Sequence, residues 1–111
     1  MVALAAAKRG EVFLVDRDPA RGGEIRKRRP CVVVSPDELN KHLRTFTIAP
    51  LTTGGHPYLF RVPCRFGGKV GYVVVDQIRT VDQERLLRRL GRLAPVTLGR
   101  TLSVLQEMFA P

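Results

Sequence analysis

The stretch Pro30-Cys-Val-Val-Val-Ser35 constrains the fold most, because it is apolar and β-branched over most of its length. β-Branched side chains favour extended backbone. A short, unbroken apolar run of this kind is typical of a strand that is buried on both faces. Pro30 fits the first position of such a strand, where a missing N–H is tolerated. We therefore expect a central strand over residues 30–35 with other elements covering both of its faces.

Shorter runs on either side of this stretch predict further strands, separated by turn-forming residues. Ser35-Pro36 begins a short helix, with Ser35 as the expected cap. The residues between 76 and 93 predict a helical turn around 82–86 and a short strand near Leu90. The other predicted strands are 11–16, 45–51, 58–62 and 69–75, with a turn over 65–68 between the last two.

The clearest helix is the last segment of the chain. Leu98, Leu102, Leu105 and Phe109 recur at helical spacing and form one apolar stripe, and Pro95 suits the first turn. The chain of 111 residues has room for one core. We expect a mainly β fold of about five to seven short strands, a small twisted half-barrel closed by the C-terminal helix. The single domain covers residues 8–111 and follows a flexible tail, residues 1–7.

Charge indicates the class of partner. Lys and Arg number 19 against 10 Asp and Glu, so the formal net charge is +9. A domain this small and this basic favours a polyanion or an acidic protein as its partner. The apolar run over residues 1–7 is far shorter than the ~20 residues that span a bilayer. We therefore expect no membrane association.

Cysteine and histidine usage argues against a metal site. Cys31 and Cys64 are too few and too far apart for a zinc site or a disulfide framework, which favours the cytoplasm. His42 and His56 have no third ligand at suitable spacing. Glycine-rich phosphate loops, dinucleotide fingerprints and nucleophile elbows are also missing. We therefore expect no metal and no cofactor.

The densest cluster of charge is Arg26-Lys27-Arg28-Arg29, at the end of a long Gly-containing loop. Such a run can be a solvated loop, or it can contact phosphates. Arg29 directly precedes the predicted buried strand, so a rigid sheet edge would hold its guanidinium. Arg binds phosphate through a planar fork of donors and stays protonated.

Thr52 and Thr53 follow a predicted strand just as Arg29 precedes one. Antiparallel strand ends can meet at one edge, so a hydroxyl and a guanidinium could address the same oxyanion. Catalysis at phosphorus depends mainly on such positioning and charge stabilisation. The alternative is that Thr52 is a strand-favouring residue beside a turn.

Three further polar residues are candidates for contact with bases. Glu24 is the carboxylate of a cationic loop, so it either balances charge or accepts a hydrogen bond from a base or a sugar. Asp76 and Gln77 follow a predicted strand, and both side chain types can read base edges. Residue chemistry alone leaves a nuclease and an RNA-binding module equally open.

Six short motifs in order resemble the MazF/PemK family of toxin endoribonucleases. Each is weak alone, but together they span residues 8–82. They are Lys8-Arg9-Gly10-Glu11-Val12, Asp18-Pro19, Gly22-Gly23-Glu24, Arg29-Pro30-Cys31-Val32-Val33-Val34, Pro50-Leu51-Thr52-Thr53 and Asp76-Gln77-Ile78-Arg79-Thr80.

The resemblance implies an SH3-like β-barrel, a homodimer and sequence-specific, metal-independent cleavage of single-stranded RNA. The 2′-hydroxyl would attack its own phosphate and leave a 2′,3′-cyclic phosphate and a 5′-hydroxyl. The family's catalytic arginine and threonine fall on Arg29 and Thr52. Glu24, Asp76 and Gln77 would line the RNA groove, with Arg28 and Thr53 also binding substrate. The resemblance also implies a cognate antitoxin with an acidic tail.

The sequence departs from the family pattern at a few positions. Ile25 replaces a frequent Gln, and Gly23 and Val74 stand where some plasmid members carry His and Arg. The resemblance therefore implies the arginine–threonine mechanism. Two other functions are possible. One is a non-enzymatic gyrase poison of related fold, which the Trp-free C-terminus disfavours. The other is an SH3-like module that binds RNA without cutting it.

Overall fold

The computed structural model describes residues 7–16 and 28–111, and these form seven strands and two helices. Two single 3-10 turns flank the sixth strand. In chain order the elements are β1 Glu11–Asp16, β2 Arg28–Val33, α1 Asp37–Asn40, β3 Thr45–Pro50, β4 Arg61–Phe66, β5 Lys69–Val74, the 3-10 turn Val75–Gln77, β6 Arg79–Asp82, the 3-10 turn Gln83–Arg85, β7 Leu86–Arg92 and α2 Pro95–Phe109.

The strands form two antiparallel sheets. The larger has five strands in the order β6-β3-β2-β1-β7, and β4 and β5 form a separate hairpin. A single bridge between Leu51 and Val73 joins the end of β3 to this hairpin. The expected β fold with a C-terminal helix is confirmed, but the sheets are twisted layers and do not close into a barrel.

The central strand is buried on both faces, as predicted. Along β2, Val32 belongs to one core cluster, whereas Cys31 and Val33 belong to a second cluster on the opposite face. All three side chains are fully buried. This follows from the alternation of side chains along a strand. Each face of the five-stranded sheet therefore has its own apolar core.

The C-terminal helix covers the first of these clusters. Leu98, Leu102 and Leu105 pack against it, which confirms most of the predicted stripe. Phe109, the fourth member, is 71% exposed. It is the last residue of α2, and at this end of the helix Met108 packs against the cluster instead. Among the described residues, no helix is long and apolar enough to span a bilayer.

The largest difference from expectation is at β4. The run Tyr58-Leu59-Phe60 was expected to begin a strand at 58, but the strand begins at Arg61. Phe60 has φ +62°, a left-handed conformation that interrupts extended pairing. At the other end the strand continues to Phe66. The turn is only Gly67-Gly68, because both glycines have positive φ and complete a two-residue hairpin.

The first helix also begins differently. Its cap is Pro36, not Ser35, and no side chain caps it. The Ser35 hydroxyl instead donates a 2.6 Å hydrogen bond to Oδ1 of Asn40 and accepts one from the amide of Thr47. Both Ser35 and Asn40 are buried, so their polar groups are satisfied by each other and by β3. Ala7, the last residue of the predicted tail, is fully buried.

Candidate active site

Arg29 and Thr52 lie two residues beyond Cys31 and Pro50, the last register pair of the β2–β3 ladder. The pairing between these strands continues one residue past β3, since the amide of Leu51 donates a 2.9 Å hydrogen bond to the carbonyl of Pro30. The next position outward on each strand is Arg29 and Thr52. Directly opposed residues of an antiparallel pair share one face, with Cβ atoms about 5 Å apart. Extended outward by two residues, this register points to Arg29 opposite Thr52, whereas the hydrogen bonds of Thr52 itself run to β5.

The Thr52 hydroxyl is held by the backbone of β5. The amide of Tyr72 donates to Oγ1 of Thr52 at 3.1 Å, and the amide of Thr52 donates to the carbonyl of Tyr72 at 2.9 Å. The hydroxyl proton faces two carbonyl acceptors, on Gly54 at 3.3 Å and Tyr72 at 3.4 Å. These distances exceed the 2.7–2.8 Å typical of O–H···O bonds. The oxygen is therefore fixed, while its proton is loosely engaged.

Gly71 is what allows β5 to approach Thr52 so closely. A Cβ atom on residue 71 would lie 1.8 Å from the carbonyl oxygen and 2.6 Å from the carbonyl carbon of Thr52. No side chain fits against backbone at that distance. We did not single out Gly71 from the sequence, although an isolated glycine within a strand pattern is a known sign of close backbone approach.

Thr52 opens into a cleft of about 330 Å³. The wall of the cleft is formed by β2, β4, the turn after β3 and the tip of the β4–β5 hairpin. Thr52 is partly buried at its edge, whereas Thr53 and Lys69 are exposed. Its lining residues are Pro30, Leu51, Thr52, Thr53, Cys64, Phe66, Gly67 and Lys69. Of the predicted site residues, Thr52 and Thr53 line this cleft, whereas Arg29, the neighbour of Pro30 on β2, does not.

Cys64 lies in the wall of the same cleft and is 8% exposed. Burial raises the pKa of its thiol, because the apolar surroundings disfavour the charged thiolate. The thiol therefore stays neutral at physiological pH, and Cys64 contributes an apolar surface. The second cysteine, Cys31, is fully buried in the other core cluster, as predicted, and its thiol donates to the carbonyl of Arg29 at 3.6 Å.

The basic residues at the start of β2 are exposed. Arg28 and Arg29 are the first two residues of the strand, so Arg29 lies within β2 and not before it. Across the β1–β2 ladder Arg28 faces Asp16, and Arg29 faces Val15. Glu24, Arg26 and Lys27 lie outside the described residues. The described part of the predicted phosphate-binding run is therefore Arg28 and Arg29, which directly precede Pro30 in the cleft wall.

Asp76 and Gln77 lie elsewhere. They form a 3-10 turn after β5, at the end of the hairpin opposite the Gly67-Gly68 tip. The Asp76 carboxylate accepts from Nε of Arg61 at 3.4 Å, and the Arg61 guanidinium lies 4.7 Å from the ring centre of Tyr58. Both predicted base-reading residues are exposed, but neither lines the cleft that contains Thr52.

One residue of the cleft carries a charge that we did not predict to be functional. Lys69 pairs with Phe66 across the hairpin tip, and both side chains line the cleft. This role has no signal in the sequence, since Lys69 belongs to no charge cluster. Within residues 7–16 and 28–111, no group of three or more His, Cys, Asp or Glu side chains could hold a metal ion.

Comparison with known proteins places this geometry in a family. Residues 8–109 match the model of the PemK-like, MazF-like toxins of type II toxin–antitoxin systems. Endoribonuclease MazF9 of Mycobacterium tuberculosis is 37% identical over 103 residues, covering 84% of this chain and 87% of that protein. Endoribonuclease toxin ChpB of Escherichia coli is 37% identical over 115 residues, covering 97% of this chain and 98% of that protein.

A solved structure agrees in fold. An endoribonuclease from a mycobacterial species, in complex with its cognate antitoxin, superposes with a TM-score of 0.79 at 26% identity. The match covers 96% of this chain and 98% of that one. Family model, relatives and fold extend over nearly the whole chain, and this chain therefore belongs to the PemK-like, MazF-like toxin family of type II toxin–antitoxin systems.

Proposed function

We propose that this protein is a toxin endoribonuclease that cleaves single-stranded RNA at a short sequence motif without a metal ion. One observation carries the proposal. A hydroxyl held by the Tyr72 amide lies at the edge of an open cleft, two residues beyond the end of the β2–β3 ladder, and Arg29 lies two residues beyond that end on β2. The names of the relatives, which are endoribonucleases, support the same function.

The proposed reaction is a transesterification within the RNA. The 2′-oxygen attacks the adjacent phosphorus as the bond from phosphorus to the 5′-oxygen breaks. In balance, the 2′-hydroxyl loses a proton and the departing 5′-oxygen gains one. The products are a 2′,3′-cyclic phosphate and a 5′-hydroxyl. Negative charge accumulates on the non-bridging oxygens in the transition state, so donors placed around that phosphate accelerate the reaction.

Arg29 and Thr52 are the proposed catalytic pair. The guanidinium of Arg29 contributes positive charge and a planar fork of donors to the phosphate. Thr52 contributes one O–H donor. Its oxygen already accepts from the Tyr72 amide, and the carbonyls that its proton faces are 3.3–3.4 Å away. Exchanging such a weak bond for one to an anionic phosphate oxygen is favourable, because charge-assisted hydrogen bonds are stronger.

The remaining predicted site residues are proposed to bind substrate. Arg28, next to Arg29, and Thr53, in the cleft, contact the RNA beside the cleaved bond. Glu24 and the exposed pair Asp76 and Gln77 contact bases. Because Asp76 and Gln77 lie at the far end of the β4–β5 hairpin, they are assigned to nucleotides distant from the cleaved bond.

We also propose a cognate antitoxin with an acidic segment that covers this basic surface and excludes RNA. The net charge of +9 supports it, because complementary fields accelerate association. The structural relative in complex with its cognate antitoxin is a second support. A cytoplasmic location is proposed for the toxin and its antitoxin, consistent with the absence of a disulfide framework in the sequence.

Assembly into a homodimer belongs to the same proposal. Leu39 and Phe109 are 49% and 71% exposed and line one groove of about 410 Å³ between α1 and the end of α2. Exposed apolar surface of this kind is typical of a protein interface. Sedimentation equilibrium of the purified toxin measures the assembly directly. A mass of twice 12.4 kDa is expected, and a mass of 12.4 kDa at all concentrations contradicts the dimer.

The test of the enzyme is incubation of the purified protein with a long mixed-sequence RNA in EDTA, followed by sequencing of the new 5′ ends. Cleavage at one short motif is expected, with products that carry a 5′-hydroxyl and a 2′,3′-cyclic phosphate. RNA that stays intact while still binding the protein would favour the non-cleaving RNA-binding module. Cleavage that EDTA abolishes would refute the metal-independent mechanism.

A further inference from the structure

The tip of the β4–β5 hairpin places an aromatic ring and an ammonium group side by side. Gly67 and Gly68 form the turn, with φ of +58° and +76°. The register pairs Phe66 directly with Lys69, so their side chains lie on the same face of the hairpin. Both line the cleft that contains the Thr52 hydroxyl.

The Phe66 ring is held from behind by β7. A Cβ atom on Gly91 would lie only 3.3 Å from Cζ of Phe66, so the ring rests against bare backbone at this position. Phe66 is partly buried and also packs against the first core cluster. A side chain supported on one side in this way presents a fixed surface to the cleft. An aromatic ring in a fixed position is the usual platform for a nucleobase.

Three further residues add apolar surface to the cleft. Leu51 and Cys64 are buried, and burial keeps the Cys64 thiol uncharged. Pro30 adds a further apolar surface. Lys69 is the one charged side chain among the eight lining residues. This distribution suits a ligand with a flat apolar part and a single nearby negative charge. The cleft is poorly suited to a run of acidic side chains, because Lys69 is the one cation among its lining residues that could pair with them.

We infer that this cleft binds the nucleobase adjoining the cleaved phosphate, stacked on Phe66, with Lys69 on the neighbouring phosphate. The inference rests on the proposed function, because the Thr52 hydroxyl marks where the cleaved phosphate lies. A base in this cleft would be covalently next to that phosphate. Phe66 then contributes binding energy and a modest preference for bases that stack strongly at one position, whereas Lys69 binds without selecting bases.

The test compares Phe66→Leu with Phe46→Leu. Leucine at 66 keeps an apolar side chain against Gly91 but removes the flat ring. Phe46 is buried in the second core cluster and does not line the cleft, so its replacement controls for loss of packing. Each protein digests the same mixed-sequence RNA briefly, and the new 5′ ends are sequenced. Binding is measured with a short RNA whose cleaved nucleotide is 2′-deoxy.

The inference predicts that Phe66→Leu flattens the base preference at one position flanking the cleaved bond and weakens binding about 10-fold, as expected for loss of one stacked base. Phe66→Tyr should retain both the base preference and the RNA affinity of the unmodified protein. Phe46→Leu should leave both of these properties unchanged. Phe66→Met is used instead if Phe66→Leu is unfolded by circular dichroism. Lys69→Gln should weaken binding with base preference unchanged. Lys41→Gln removes an exposed charge at the end of α1 that does not line the cleft, and it should leave binding unchanged.

The outcomes separate the two proposals. If the unmodified protein cleaves RNA and the Phe66 variants keep its full sequence preference, the base site is refuted and the enzyme stands. If the unmodified protein leaves RNA intact, the proposed function fails and the base site fails with it. A change in preference that Phe46→Leu reproduces would also refute the base site, because loss of packing alone would then explain it.

Discussion

The carbonyl oxygen of Thr52 lies 1.8 Å from the position that a Cβ atom on residue 71 would occupy, so Gly71 and Thr52 are in contact through backbone alone. That contact lets the next residue, Tyr72, donate its amide to the Thr52 hydroxyl at 3.1 Å. The donor proposed for catalysis is thus positioned by a glycine on a different sheet. Adding a single methyl group at residue 71 therefore tests whether this contact positions the Thr52 hydroxyl.

Gly71→Ala should lower the RNA cleavage rate about 100-fold, because a shift of about 1 Å in a catalytic group has that effect. The methyl group cannot fit without moving the Thr52 backbone. Single-turnover cleavage rates measure the loss. Gly99→Ala is the matched control, since Gly99 lies on α2 with nothing within 4 Å of its Cβ position. It should leave the rate unchanged.

A merely structural effect of Gly71→Ala can be distinguished in a second background. If Gly71 acts through the Thr52 hydroxyl, the substitution should cost little further activity in a Thr52→Ala protein, because coupled sites are not additive. An equal loss in both backgrounds would mean that Gly71 supports the fold and not the hydroxyl.

The buried thiol predicts how stability depends on alkaline pH. Burial raises the pKa of Cys64, so the fold favours the neutral thiol. Its contribution to the free energy of unfolding is fully present below the ordinary thiol pKa, and it is lost as pH rises through the higher folded value. Urea unfolding at neutral pH and at about pH 10 should show a smaller alkaline loss for Cys64→Ala than for the unmodified protein. Equal losses would contradict the effect.

Glu24→Ala should change the sequence preference of cleavage more than its rate. The carboxylate is proposed to accept a hydrogen bond from a base, and losing one such contact removes discrimination of about 1–3 kcal/mol at a single position. Sequencing of 5′ ends after brief digestion measures it. An unchanged profile of cleavage sites would assign Glu24 to charge balance in its loop.

Arg28→Gln should make RNA binding less sensitive to salt. A phosphate contact to single-stranded nucleic acid contributes about 0.7 to the slope of log affinity against log salt concentration. Arg28 is exposed at the start of β2, next to the proposed catalytic arginine. Titration of a non-cleavable RNA at several salt concentrations gives the slope. Arg100→Gln, an exposed charge on α2, should leave the slope unchanged, and a slope unaffected by Arg28→Gln would argue against the contact.

Local pattern alone predicted the elements whose side chains repeat regularly. The β-branched run predicts β2 and the leucine stripe predicts α2. Each pattern is regular because β2 buries both of its faces and α2 buries one. The start of β4 was wrong because Phe60 adopts a left-handed conformation, which an apolar run does not reveal. Phe109 fits the predicted apolar stripe but is exposed, because Met108 fits the helical spacing as well and is the residue that packs against the cluster.

The candidate site shows the same limit. The pairing of Arg29 with Thr52 could be predicted from strand ends, and each residue lies two positions beyond the last β2–β3 register pair. Phe66 and Lys69 could not be assigned from sequence, because they reach the cleft through the position of the hairpin against β3 and β7. The same position brings Gly71 against the backbone of Thr52. Long-range packing of this kind leaves no periodic signal.

The central claim is that Arg29 and Thr52 act on one phosphate, and a double-mutant cycle tests it most directly. Single-turnover cleavage of one RNA is measured for the unmodified protein, Arg29→Ala, Thr52→Ala and the double variant, with Thr52→Ser as the hydroxyl-retaining control. Each alanine variant should lose about 100- to 1,000-fold, the double variant should lose much less than the product of the two, and Thr52→Ser should keep most activity. Normal cleavage by Arg29→Ala, or losses that simply multiply, would contradict the shared phosphate.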